Sequence, residues 1–255
     1  MPSRDCYSEA LVMRHVDYGE ADRIVTFLTP ERGLLKGFAR AARKSRKRFG
    51  VSLEPFNRIQ VQWRAGRGDL CLLQDAELLE AHTGLRSDLQ SFALACYGVE
   101  LVEMLLHEGQ AHPEIYQLLD SFLDFLNGHG DPAVARILLE LRLVQQLGYI
   151  PHLLHCSECF LVFGTQDRVA FSPTRGGSLC QDCAGGEILL WLSLGTLGSL
   201  SRSLQAPVGL FEGFRFGETT LQEGEKLLTA VLQKILPRSP KSLQFLQQTM
   251  AMANP

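Results

Sequence analysis

The sequence has no long apolar run. Its longest strongly apolar stretch without a charge, Ile188–Ser201, covers 14 residues, short of the roughly 20 that a membrane helix needs. Acidic Asp5 and Glu9 lie near the start and no apolar h-region follows, so no signal peptide is expected. The expectation is a soluble, cytoplasmic protein. Several catalytic signatures are also missing. No glycine-rich loop ends in Gly-Lys-Ser/Thr to cradle a nucleotide's phosphates, and neither H-E-x-x-H nor G-x-S-x-G occurs. Acids and histidines are plentiful, but no arrangement singles out a catalytic pair. Repeats and low-complexity segments are absent too. Apolar residues make up 45% and charged residues 21% of the chain, the usage of a globular protein and not of a disordered, collagenous or coiled-coil one.

What is present is divided. The 255 residues predict about two domains. The net charge of −3 hides an asymmetry: residues 1–68 hold 14 Lys/Arg against 7 Asp/Glu, and residues 69–255 hold 11 against 21. A basic module joined to an acidic body points to a local polyanion site rather than to general stickiness.

The first 80 residues read as strands. In Arg58–Arg64, Ile59, Val61 and Trp63 point one way and Arg58, Gln60, Gln62 and Arg64 the other, the period of a half-buried strand. Ala10–Val16, Arg23–Thr29, Leu34–Arg40 and Leu70–Gln74 look similar, with turns at Tyr18-Gly19, Pro30–Gly33 and Gly66–Asp69 between them. Five short strands in this span fit a small barrel of the OB type. Beyond residue 80 the period becomes helical in Leu89–Leu106, Glu114–Leu126 and Ala133–Leu147, and again in Glu187–Gln205, Glu218–Leu236 and Ser242–Ala251. The expected architecture is α+β and multidomain: an OB-fold β-barrel over 1–80, a helical body over 81–151 and 187–255, and an insert at 152–186.

The cysteines number seven, an odd count that argues against a disulfide framework. Cys6, Cys71 and Cys96 stand alone and read as small buried side chains. The others form Cys156-Ser157-Glu158-Cys159 and, 20 residues on, Cys180-Gln181-Asp182-Cys183. Two knuckles, each presenting two thiolates and joined by a hairpin, make a tetrahedral zinc site. The hairpin is expected from Phe160–Phe163, a turn at Gly164-Thr165, then Arg168–Ser172 and a turn at Gly176-Gly177, with Gly185 and Gly186 easing the exit. Four thiolates leave no open position, so such a zinc is structural. A mononuclear iron site is the competing reading; a redox pair would need a thioredoxin-like context that is missing. His152 and His155 adjoin the first knuckle as substitute ligands or as exposed loop residues.

Lys36, Arg40, Arg43, Lys44, Arg46, Lys47 and Arg48 place seven cations in 13 residues without an acid. Arg58 and Arg64 add to them from the outward face of the fourth strand, and Phe38 and Phe49 flank the run as candidate stacking surfaces, with a core position the alternative for Phe38. A basic groove with aromatics across a small barrel is the layout of a single-strand nucleic-acid site. The alternative is a solvated charged face.

The order of barrel, helical body and four-cysteine finger resembles the RecO family of bacterial DNA-repair proteins. Residues Tyr18–Asp22, Thr29–Gly33 and Gly37–Arg40 look like that family's opening pattern, as do Glu140–Leu143, Leu147–Tyr149 and Pro151 ahead of the first cysteine. The sequence departs from the pattern where Phe160 replaces the glycine often found after the first pair. The resemblance implies a recombination mediator without enzymatic turnover. Such a protein binds single- and double-stranded DNA, anneals complementary strands and associates with RecR. It contacts the acidic tail of single-stranded DNA-binding protein and thereby helps load RecA onto coated DNA, in the cytoplasm at the nucleoid. Arg136 and Arg142, on one helix, are candidates to hold the acidic tail, although Arg136 also stands at ion-pair spacing from Glu140. The rival classes are a zinc-ribbon nuclease, which needs clustered carboxylates for magnesium, and an adaptor whose barrel binds protein.

Overall fold

A computed structural model describes residues 5–66, 70–149, 151–164, 166–185 and 190–253. The expected turn at 67–69 and the expected roles of Thr165, Gly186 and residues 187–189 lie outside these. Contact density groups the chain into two compact units, residues 1–129 with 240–255, and residues 130–239.

The first unit is built on five strands, β1 (Cys6–Tyr18), β2 (Asp22–Thr29), β3 (Gly33–Ala39), β4 (Arg58–Arg64) and β5 (Leu70–Glu80). They close in the order β1-β2-β3-β5-β4, with only β3 and β5 parallel, the OB-fold arrangement. Alternation makes the barrel. Val12, Val25, Phe27, Ile59, Val61, Trp63 and Leu73 turn inward and are buried together, so each strand sends every second side chain to one core. β5 runs six residues beyond the expected Gln74, because Ala76 and Leu78 continue its inward face. Gly33 turns the chain from β2 into β3 at φ +66, where a Cβ would lie 1.7 Å from the Gln110 carbonyl oxygen; only glycine fits.

Helices α1 (Leu89–Leu105), α2 (Pro113–Asn127) and α7 (Lys241–Ala253) belong to the same unit. Asp88 caps α1 by accepting from the Ser91 amide at 2.9 Å. The cap of α7 comes from elsewhere in the chain. Glu100 of α1 accepts from the amides of Lys241 and Ser242 at 2.9 and 2.8 Å and from the Ser242 hydroxyl at 2.7 Å.

The second unit holds α3 (Pro132–Gln146), β6 (Arg168–Ser172), β7 (Gly177–Leu179), the short turn α4 (Gln181–Ala184), β8 (Leu190–Ser193), α5 (Leu194–Ser203) and α6 (Glu218–Ile235). The three strands form a sheet in the order β7-β6-β8. α3 is buried on nearly every side and packs on α6, where Gly224 lets Ile137 approach to within 3.2 Å of the position a Cβ would take. The helix expected over Glu187–Gln205 is corrected to a strand followed by a shorter helix. Leu190-Trp191-Leu192-Ser193 pairs with β6, and Ser193 then caps α5 by accepting from the Thr196 amide. A short apolar run carries no period of its own, and the partner strand decides it. Among the described residues no helix is long and apolar enough to cross a membrane.

Candidate nucleic-acid groove and metal centre

The segment between β3 and β4 presents the cations by anchoring the residues around them. Ala42, Phe49 and Leu53 enter the barrel core, and the Ala76 amide donates to the Arg48 carbonyl at 2.9 Å. Arg43, Lys44, Arg46 and Lys47, between those anchors, are exposed. Phe49 is therefore corrected from a stacking surface to a core residue. It is 1% exposed, and its accessible role is to lie under the Arg48 guanidinium, 4.9 Å from the ring centre.

Beside this segment lies an open groove of about 730 Å³ lined by Phe38, Arg40, Arg48, Arg64, Leu72 and Gln74 among others, with no acidic residue in its wall among the described residues. Three predicted cations and one predicted aromatic thus converge from β3, its following loop and β4. The other predicted cations part company. Lys36 is paired with Glu108. Arg58 meets Asp120 at 2.7 Å and Asp124 at 3.5 Å, and burial pushes the Asp120 carboxyl up despite that cation. Arg43 keeps a loose, exposed contact with Asp17 at 3.4 Å. Carboxylates from far along the chain neutralise Lys36 and Arg58, while Arg40, Lys44, Arg46, Lys47, Arg48 and Arg64 have no carboxylate partner among the described residues.

One groove neighbour escaped the sequence reading. Tyr18, expected in a turn, ends β1 as a residue 57% exposed and meets Phe38 edge-on, ring centres 5.8 Å apart. The signal available was its two-residue offset from exposed Val16 on the same strand face.

Arg136 and Arg142 are corrected as surface sites: both are buried within the second unit. Arg136 spans Glu140 at 2.8 Å and Glu225 at 2.5 Å. Arg142, 1% exposed, donates to the carbonyls of Ser203, Val208 and Leu210 and lies 5.2 Å from the ring centres of Phe211 and Phe214. Burial without a carboxylate pulls its guanidinium down to about 10. An acidic tail cannot reach a side chain so enclosed.

The four paired cysteines do come together. Their sulfurs all lie within 4.8 Å of one another, and Sγ of Cys159 and Cys180 are 3.6 Å apart, near the roughly 3.8 Å edge of a tetrahedron with about 2.3 Å metal–sulfur bonds. Local backbone builds each knuckle. The Cys156 amide donates to the Leu161 carbonyl and the Phe160 amide to the Cys156 carbonyl, while Ser157 donates to Ser178 beside the second knuckle. Cys180 and Cys183 bracket the first turn of α4. Gly177 permits the crossing with His152, whose carbonyl oxygen would be 2.4 Å from a Cβ there. Arg175 clamps the hairpin turn to Glu158 of the first knuckle, Nε to Oε1 2.6 Å.

Phe160 takes the left-handed conformation, φ +61, that glycine would adopt at no steric cost. The residue is 65% exposed, and its ring stacks on His155. His155 in turn meets His152, Nε2 to Nδ1 2.8 Å; neither histidine is in the sulfur cluster. Burial raises the Cys156 thiol, but amides of both knuckles outweigh it and bring the group down to about 6. The Cys183 thiol is held up, first by contact with the Cys180 thiol and then by burial. Adjacent sulfurs that cannot all ionise alone are the donor set that a thiophilic cation relieves. The cluster fits a bound metal ion.

Comparison with known proteins covers nearly the whole chain. The family model described as "Recombination protein O N terminal" matches residues 4–82, and that described as "Recombination protein O C terminal" matches residues 86–244. The DNA repair protein RecO of Syntrophotalea carbinolica is 54% identical over 245 residues, 96% of this chain and 95% of that protein. Its namesake in Anaeromyxobacter sp. strain K is 37% identical over 241 residues, 93% and 94% of the two chains. That of Myxococcus xanthus is 34% identical over 254 residues, 94% and 96%.

Proposed function

The chain belongs to the RecO family, with a role in DNA repair and recombination, and from that premise we propose that it is a non-enzymatic mediator binding single- and double-stranded DNA on its barrel and annealing complementary strands. The observation that carries this reading is the groove that brings Arg40, Arg48 and Arg64 together. Two DNA strands repel each other, and a surface that neutralises both phosphate backbones lowers the barrier to their meeting. Base pairing then supplies sequence selection, so the protein needs few base-reading groups. It also supplies the driving force, so the scheme calls for no turnover.

In this reading residues 1–80 are the DNA-binding domain, and 152–186 form a metal-held insert in a helical body of 81–151 and 187–255. The metal is zinc, held by Cys156, Cys159, Cys180 and Cys183. When bound it fixes the two knuckles, and with four thiolates in place it has no position for water. The family resemblance supports RecR and the acidic tail of single-stranded DNA-binding protein as partners. RecA is served indirectly, when the protein and RecR help load it onto coated DNA. The cell compartment is then the cytoplasm, at the nucleoid.

The test is annealing of complementary oligonucleotides without nucleotide, with and without divalent metal. The protein should anneal in both conditions, and reversing Arg40, Arg48 and Arg64 to Glu should abolish annealing and DNA binding together. Annealing that demands a nucleotide, or DNA binding untouched by the triple reversal, would refute the proposal.

A further inference from the structure

We infer that Tyr18 and Phe38 form a base-stacking platform beside the cationic groove, and that this platform makes the barrel favour unpaired over paired DNA. The inference rests on the reading of the groove as a DNA site and adds what selects the strand state.

Register places the platform. Val16 is opposite Ile24, Ile24 opposite Phe38, Phe38 opposite Leu72, and Leu72 opposite Arg64. This row crosses all five strands on the outer face of the barrel. With strands about 4.8 Å apart, four steps span roughly 19 Å. That length accommodates on the order of 4–6 nucleotides at about 3.4 Å per stacked base, within the site sizes of such barrels.

Chemistry changes along the row. At the β1 end are exposed Val16 and Tyr18, with Tyr18 edge-on to half-buried Phe38. At the β4 end Arg64 has no carboxylate partner among the described residues, and Arg40 and Arg48 join it in the groove wall. The two rings are not coplanar; they meet at 79°, so a base that stacks on one ring can abut the other edge-on, an arrangement aromatic groups favour. Phosphates belong to the cationic end. A duplex offers its phosphates to the same cations but keeps its base faces covered by neighbouring pairs, so the rings gain nothing from it. The cations therefore serve both kinds of DNA, and the rings serve single strands.

The experiment compares an oligothymidylate of about 20 nucleotides, longer than one such site, with a duplex of the same length. Binding to the full-length protein is followed by fluorescence anisotropy over a salt series. Tyr18→Ala, at an exposed position, and Phe38→Leu, which preserves apolar packing, should each lower single-strand affinity about tenfold and leave duplex affinity within twofold. Their salt slopes should match the wild type, because every cation that meets a phosphate is still in place. Tyr18→Trp should retain affinity and show quenched indole emission on binding the oligothymidylate. Equal losses for both DNAs, a shallower slope, or no loss from either variant while the wild type binds would overturn the platform alone. A wild type that binds neither DNA would overturn the groove reading, and the platform with it.

Discussion

The barrel and helix α3 treat arginine in opposite ways. Arg40, Arg48 and Arg64 line an open groove without a carboxylate in its wall among the described residues, whereas Arg136 and Arg142 are buried, one between two glutamates and the other among three carbonyls and two phenylalanine rings. An arginine that ties the fold together is unavailable to a partner, and one left free contributes little to stability. The sign of a local charge total is therefore a poor guide to binding. What matters is how many cations remain after the protein's own acids and carbonyls are satisfied.

The largest effect expected concerns the zinc proposed for the four cysteines, which share no charge pattern with the groove. Zinc contributes on the order of 10–16 kcal/mol to isolated finger peptides, so Cys180→Ser should remove the bound ion and open 152–186 to protease. The barrel's DNA affinity should survive. Elemental analysis of the wild type that finds neither zinc nor iron would defeat this expectation.

Next comes the stability contrast itself. Arg136→Met leaves Glu140 buried without that guanidinium, a loss of about 3–5 kcal/mol, while Arg64→Met should stay within about 0.5 kcal/mol. Urea denaturation separates the two, and equal losses would erase the distinction between these arginines.

The converse is expected for DNA. Reversing Arg43, Lys44, Arg46 and Lys47 should weaken single- and double-stranded binding alike, by on the order of 100-fold near physiological salt. If about five phosphates are neutralised in the wild type, its single-strand salt slope is near −3.5, shallower by about 0.7 for each phosphate no longer neutralised. An unchanged affinity and slope would make the run a solvated face.

A smaller effect is set by pH. Glu223 is buried, which opposes its ionisation, but the amide and hydroxyl of Ser193 and the nearby Arg168 hold its carboxyl below the usual range. A depressed folded value gives stability that is present above the unfolded value near about 4.3 and disappears as pH falls through the folded one. Glu223→Gln should cost about 1 kcal/mol at neutral pH and flatten the wild type's loss of melting temperature below about pH 4. Parallel curves for the two proteins would remove Glu223 as its source. Smallest of all, Arg43→Ala breaks an exposed contact with Asp17 and should change stability by less than about 0.5 kcal/mol.

The sequence disclosed the features that depend on neighbours a few residues away. Cys156–Cys159 and Cys180–Cys183 were legible because a knuckle is local and the hairpin between them short. β4 was legible because every second side chain from Ile59 to Trp63 is apolar. What stayed hidden depended on distant partners. Glu108 and Asp120 pair with Lys36 and Arg58 across separations of 72 and 62 residues, and no local pattern announces either pairing. Phe49 sits in a basic run yet faces the core, because the loop doubles back to plug the barrel. Leu190–Ser193 is a strand because β6 offers it a ladder, and Tyr18 sits next to Phe38 because β2 lies between their strands.

The cap that Glu100 places on α7 has a consequence for synthesis on the ribosome. The second unit, Gly130–Ser239, is a continuous stretch, so it emerges whole and can begin folding as soon as it clears the exit tunnel. The first unit must wait for its last piece, because α7 follows those 110 intervening residues. At about 5–20 residues per second, the nascent barrel and its two helices spend roughly 5–20 s with the α7 side of α1 bare. A message truncated after the codon for Ser239 would make that interval permanent.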